Sequence, residues 1–128
     1  YDISELVDNC LAKNKKKTIH ILNENNYSLE DCMIIIRTFL IKSKRLLKLC
    51  NNYKTKKNIN EVISSFKPPV FWKDKIVVEQ QLKSWNNNSV KSLIYKINEI
   101  ELLIKKNSSA SINILHDFII AEVTSVSN

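Results

Sequence analysis

Across 128 residues the chain contains no glycine, and this omission closes more structural options than any residue present opens. Glycine supplies positive φ and close backbone approach without steric cost. A Walker-type phosphate loop, a dinucleotide-binding glycine fingerprint and the glycine-flanked serine elbow of hydrolases are therefore all excluded. Strand signals are poor as well. There is no sustained period-two alternation, and the Asn-Gly and Asp-Gly hairpin turns cannot occur. What remains is helix, so the expectation is an all-α fold, a compact bundle of about seven helices in one domain spanning 1–128.

The helices can be placed from caps and apolar spacing. Asp2 or Ser4 caps a first short helix to about Lys13, with Ile3, Leu6, Val7, Cys10 and Leu11 as its stripe. A polar break, Asn14-Lys15-Lys16-Lys17, leads into a second helix ending at Asn25-Asn26. Asparagine tolerates the left-handed conformation and is expected to replace C-cap glycine there. Ser28 and Asp31 approximate a capping box for the longest helix, to about Cys50. Its two apolar stripes are Leu29, Met33, Ile36, Leu40 and Leu47, with Ser43 in the vacant place, and Ile35, Phe39, Leu46 and Leu49. A helix apolar on two faces belongs at the centre of a bundle, so Leu29 and Leu47 are both expected to be buried.

A loop from Asn51 to Lys57 precedes a short helix opened by Asn58 and Glu61, which Pro68-Pro69 terminates. The next helix is expected from about Val70 to Trp85, burying Phe71, Val78, Leu82 and Trp85. Another runs from about Ser89 to Lys106 through Val90, Leu93, Ile94, Ile97, Ile100 and Ile104. A last one spans about Ser111 to Val123 through Ile112, Leu115, Phe118 and Ile119.

Hydrophobic content of 44% is enough for a core, and the longest apolar run, Cys32 to Ile36, is far too short to cross a membrane. The start at Tyr1 shows no secretory pattern and suggests a piece of a longer, cytoplasmic protein. Cys10, Cys32 and Cys50 fall among apolar neighbours and read as small buried hydrophobes. With only His20 and His116 far apart, they offer no zinc spacing. No cofactor is expected, and no carboxylate pair is poised for acid-base work. Asp2, Glu5 and Asp8 read as acids favoured near a helix start, and Glu101 with Lys105 as a surface pair one turn apart. The formal net charge is +7, nearly all lysine, with arginine only at Arg37 and Arg45. Such a balance favours polyanionic partners, although abundant Lys, Asn and Ile also follow from AT-biased codon usage.

The segment Phe66-Lys67-Pro68-Pro69-Val70-Phe71-Trp72-Lys73 resembles the corresponding joint in the δ subunit of bacterial DNA polymerase III, a member of the clamp-loader family. Gln81-Leu82-Lys83-Ser84-Trp85 is similar to that family's leucine-basic-polar-tryptophan helix end, and Glu101-Leu102-Leu103-Ile104-Lys105 to its Glu-three-Lys signature. Thr18 to Leu22 and Ile36 to Leu40 resemble its first collar helices. Asn107-Ser108-Ser109 departs from the glycine often found there. The resemblance implies a non-enzymatic C-terminal collar domain that holds δ in the clamp-loader pentamer with δ′ and γ/τ during DNA replication. It further implies that the modules contacting the sliding clamp lie before Tyr1, and that any contact with DNA is indirect or weak.

Two residue groups are candidate contacts. Phe71, Trp72, Lys73 and Lys75 form an aromatic-basic patch suited to stacking a base near a primer-template junction. The competing and preferred reading is that both rings anchor the post-proline helix in the core. Lys13, Lys15, Lys16 and Lys17, with Lys54, Lys56 and Lys57, are two basic clusters and candidate phosphate contacts, or else solvated lysines at helix joints. Lys42, Lys44, Arg45 and Lys48 suggest a solvated edge or a subunit contact. The alternative to the collar is a freestanding helical nucleic-acid-binding domain.

Overall fold

The computed structural model describes residues 2–125. Among them the chain forms α1 (Ile3–Leu11), α2 (Lys15–Glu24), α3 (Leu29–Lys56), α4 (Ile59–Ser65), α5 (Lys75–Ser84), α6 (Asn87–Lys106) and α7 (Ser111–Thr124). Short 3-10 turns at Trp72–Asp74 and Ser108–Ala110 precede α5 and α7, and no strand occurs among the described residues. The expected all-α bundle of seven helices is the fold.

The axis is α3, which packs on α1, α4, α5, α6 and α7, most extensively on α6. Its start is the capping box read from sequence: Ser28 Oγ accepts from the Asp31 amide at 3.1 Å, and Asp31 Oδ2 from the Ser28 amide at 3.0 Å. Its end lies beyond the expected Cys50. Asn51 to Lys56 continue the helix, because no proline or glycine stops it and Tyr53 still packs against the core. Polar composition in those turns marks a helix outlasting its buried stretch, not a loop.

The deepest arc of α3 carries Cys32, Ile35, Ile36, Phe39, Ser43, Leu46, Leu49 and Cys50. Phe39 meets Phe118 of α7 edge to face, with ring centroids 5.2 Å apart. The stripe that includes Leu29 and Leu47 lies on the margin of that arc. Leu47 is therefore only partly buried, and Leu29, the first helical residue, is 49% exposed. Ile112, assigned to the buried face of α7, is also largely exposed, whereas Leu115, Phe118 and Ile119 are buried.

Helix α1 has nine residues, yet everything from Leu6 to Leu11 is buried, including Asp8 and Asn9. Asp8 is not a solvated helix-start acid. Its Oδ2 meets Lys42 Nζ at 2.9 Å, and its Oδ1 lies 3.8 Å from Arg45 Nη2. The Asp8 carbonyl accepts from Gln81 Nε2 at 3.0 Å, and the Leu11 carbonyl from Trp85 Nε1 at 2.7 Å. Cys10 Sγ donates to the Ile119 carbonyl at 3.7 Å. Side chains of α3, α5 and α7 thus converge on or around one short helix. The solvated-edge reading of Lys42 and Arg45 gives way, since both turn inward to Asp8.

The missing glycines are replaced in an unexpected way. Among the described residues no asparagine adopts the left-handed conformation; the two at positive φ are Lys13 (φ 62) and Lys57 (φ 56). Asparagine ends helices through its amide instead. Asn25 Nδ2 donates to the Ile21 carbonyl at 2.8 Å, and Asn107 Nδ2 to the Leu103 carbonyl at 3.0 Å.

Lys57 bears a left-handed steric penalty with an exposed side chain, so Lys57→Gly is expected to raise stability by roughly 0.5–1 kcal/mol in urea denaturation. Asp8→Ala leaves Lys42 and Arg45 without their counter-charge. It is expected to lower stability by about 3 kcal/mol in the same assay.

Candidate functional site

The aromatic-basic segment is built by two anchors and a delayed helix. Phe66 caps α4 in extended conformation and is buried; Val70, past the two prolines, is buried as well. Between and after them the chain runs over the surface. Because α5 begins at Lys75 and not at Val70, helical phase does not apply to Phe71 and Trp72. Their rings consequently leave the core, with Phe71 57% and Trp72 69% exposed. This corrects the reading of both as core anchors, a role that Phe66, Val70 and Trp85 fill instead. The two rings lie 6.0 Å apart at 44°, and Lys73 Nζ sits 5.6 Å from the Trp72 ring centroid. Lys75 and Ile76 are exposed beside them. All four candidate contacts, Phe71, Trp72, Lys73 and Lys75, are therefore exposed, with Phe71 and Lys73 on one groove and Lys75 on another.

A groove of about 720 Å³ opens next to this segment, lined among others by Phe71, Lys73, Asp74, Lys17 and Asp8. The structure thus brings Lys17 to the aromatic segment. Lys15, Lys16 and Lys17 do not form a break: they are the first turn of α2, where cations oppose the helix dipole. Lys17 is compensated by Glu5 at 3.2 Å, whereas Lys15 and Lys16 make no ion pair among the described residues.

Lys54 and Lys56 occupy the last turn of α3, where the dipole favours them, and Lys57 is its left-handed cap. Lys56 Nζ donates to Ser65 Oγ at 3.1 Å. Lys54 and Lys57 border a separate crevice with Tyr53 and Trp85, so the two lysine clusters line different clefts.

Lys13, read from sequence as one of the first basic cluster, is engaged by the bundle and is not a solvated loop lysine. Lys13, held at positive φ, lies 4.3 Å from the Trp85 ring centroid and donates to the Glu122 carbonyl at 2.6 Å and Ser125 Oγ at 2.8 Å. Burial lowers its pKa, opposed by Glu122 and Cys10 and reinforced by Lys96. Glu122, itself buried, also pairs with Lys96 at 2.9 Å. The place of Lys13 in a basic cluster was legible, whereas its left-handed backbone and its contacts with Trp85 and Glu122 are tertiary facts.

The three thiols are buried and free. Burial pushes Cys10 up to about 12 and Cys50 up to about 11, and raises Cys32 as well, so all stay protonated at neutral pH. No group of His, Cys, Asp and Glu able to hold a metal ion occurs among the described residues. His20 is exposed and 4.0 Å from Glu24; His116 is exposed too. Among the described residues no helix is long and apolar enough to cross a membrane.

No family model, curated protein or solved structure matches the chain. Its surface is therefore read from its own geometry. The arrangement offers one exposed aromatic-basic segment, unpaired lysines at helix ends, and several exposed aliphatic side chains on α3, α6 and α7.

Proposed function

We propose that the chain is an assembly module: the collar domain of a DNA polymerase III δ subunit, holding δ in the clamp-loader pentamer beside δ′ and γ/τ. One observation carries the reading. Several residues on which the resemblance rests hold this bundle or its helices in place. Gln81 and Trp85 bond the carbonyls of Asp8 and Leu11, Phe66 and Val70 fasten the double-proline joint, and Glu101 pairs with Lys105 at 3.2 Å. In this reading those residues keep the helix packing of a collar, which is a packing device. In this reading the domain is cytoplasmic and catalyses nothing itself, and contact with the sliding clamp belongs to other domains of δ.

The exposure of Phe71 and Trp72 supports a contact with single-stranded template at the primer-template junction, made by their rings with Lys73 and Lys75. The exposed lysines Lys15, Lys16 and Lys54 favour a second reading, a freestanding helical nucleic-acid-binding domain.

Co-elution with δ′ and γ/τ subunits from the same source separates the two. The collar reading expects a stoichiometric complex and feeble DNA binding by the chain alone. Salt-sensitive DNA binding without complex formation would move the conclusion to the second reading. For the junction contact, Trp72→Ala is expected to fold and co-elute normally while weakening the loader's affinity for primed DNA by roughly 5- to 100-fold, the range of one lost stack. Unchanged affinity would remove Trp72 from the interface.

A further inference from the structure

Helix α3 gives one face to the bundle and keeps another in solvent. The outward positions are Glu30, Ile34, Arg37, Ile41, Lys44 and Lys48, all exposed and spaced four and three residues apart, so they form a single ridge. Ile34 is 48% and Ile41 69% exposed, two turns and about 10.5 Å apart along the axis. Around them, Arg37, Lys44 and Lys48 make no ion pair among the described residues. The contrast lies on the same helix: Lys42 and Arg45, one edge over, turn to the single carboxylate of Asp8. The outward ridge is therefore an aliphatic pair with Glu30 at its N-terminal end and three cations, Arg37, Lys44 and Lys48, between and beyond the isoleucines.

Three occupants are conceivable. A second copy packed parallel would set Arg37, Lys44 and Lys48 near their own equivalents; packed antiparallel it would bring Glu30 near Lys44 but keep Arg37 beside its equivalent, and in both cases two bodies of net charge +7 repel. Nucleic acid would match the cations but leave the two isoleucines at the centre of the ridge without a partner, since phosphate contacts gain nothing from aliphatic groups. A helix with apolar residues at heptad spacing and flanking Asp or Glu matches both features at once. We infer that the outer ridge of α3, centred on Ile34 and Ile41, docks an acidic amphipathic helix of a partner protein. This rests on the assembly reading, in which that helix belongs to a neighbouring loader subunit.

The buried thiols provide the test, because a cysteine introduced on the surface is the one that reacts. Ile41→Cys is labelled with an environment-sensitive thiol dye, Ser64→Cys on the exposed side of α4 is labelled as the control, and δ′ and γ/τ are added. The proposal expects the complex to form and the dye at position 41 to report burial, or the label at 41 alone to block assembly. Unlabelled Ile41→Glu and Lys44→Glu are expected to weaken co-elution at least tenfold with helicity unchanged by circular dichroism, and Lys44→Arg to retain it. A complex that leaves the dye at 41 unaffected overturns the proposal while the assembly reading stands. No complex with the unlabelled chain overturns both. A dye response to single-stranded DNA alone overturns it in favour of nucleic acid.

Discussion

The carboxylate of Asp8 is the fixed point of this bundle. A charged group in an apolar interior is costly unless its partners are close and well placed, and here Lys42 and Arg45 reach it from α3. The pair sets the register of α1 against the long helix, because sliding either by one turn would leave a buried ion alone. Helix α1 is too short to be helical alone in water, so its order is imposed by neighbours. Gln81 and Trp85 complete that imposition from α5 by taking up carbonyls near and at its C-terminal end. Lys13 extends it to α7, where its ammonium bonds the Glu122 carbonyl while lying over the ring of Trp85.

This central arrangement also decides what the surface can do. The cations of α3 are divided by geometry into those spent on Asp8 and those facing water, and only the second set is open to a partner. The delayed start of α5 has a similar effect. By keeping Phe71 and Trp72 out of the helix it denies them the core, and Val70 and Val78 are buried on either side of them in sequence. Exposed aromatics of this size are uncommon without a use, and a short rigid segment held at both ends presents them with little conformational freedom.

Much of the fold was legible because local signals agreed with tertiary demands. The absence of glycine, the Ser28–Asp31 box, the Asn58 cap and the apolar spacing in α6 all pointed the same way. The failures share a cause. Polar turns at Lys15 to Lys17 and Asn51 to Lys56 look like loops, yet helix needs only the absence of a breaker and a neighbour to lean on. Leu29 and Phe71 were misplaced because periodicity gives a direction only where the helix exists and where something packs against it. Asp8 was read by its distance from a helix start, and nothing local announces that Lys42 and Arg45, more than thirty residues away, meet it. The aromatic-basic segment was visible as composition; its exposure was a tertiary fact.

The asparagine caps carry a liability of a different kind. At Asn25 and Asn107 the side-chain amide donates its proton to a carbonyl at the negative end of a helix. Hydrolysis of either amide to a carboxylate would exchange that donor for an acceptor and place an anion where the helix dipole is least tolerant of one. A chain that closes its helices with asparagine in place of glycine therefore acquires a chemical clock. As it ages, its helix ends are where covalent damage turns first into unravelling.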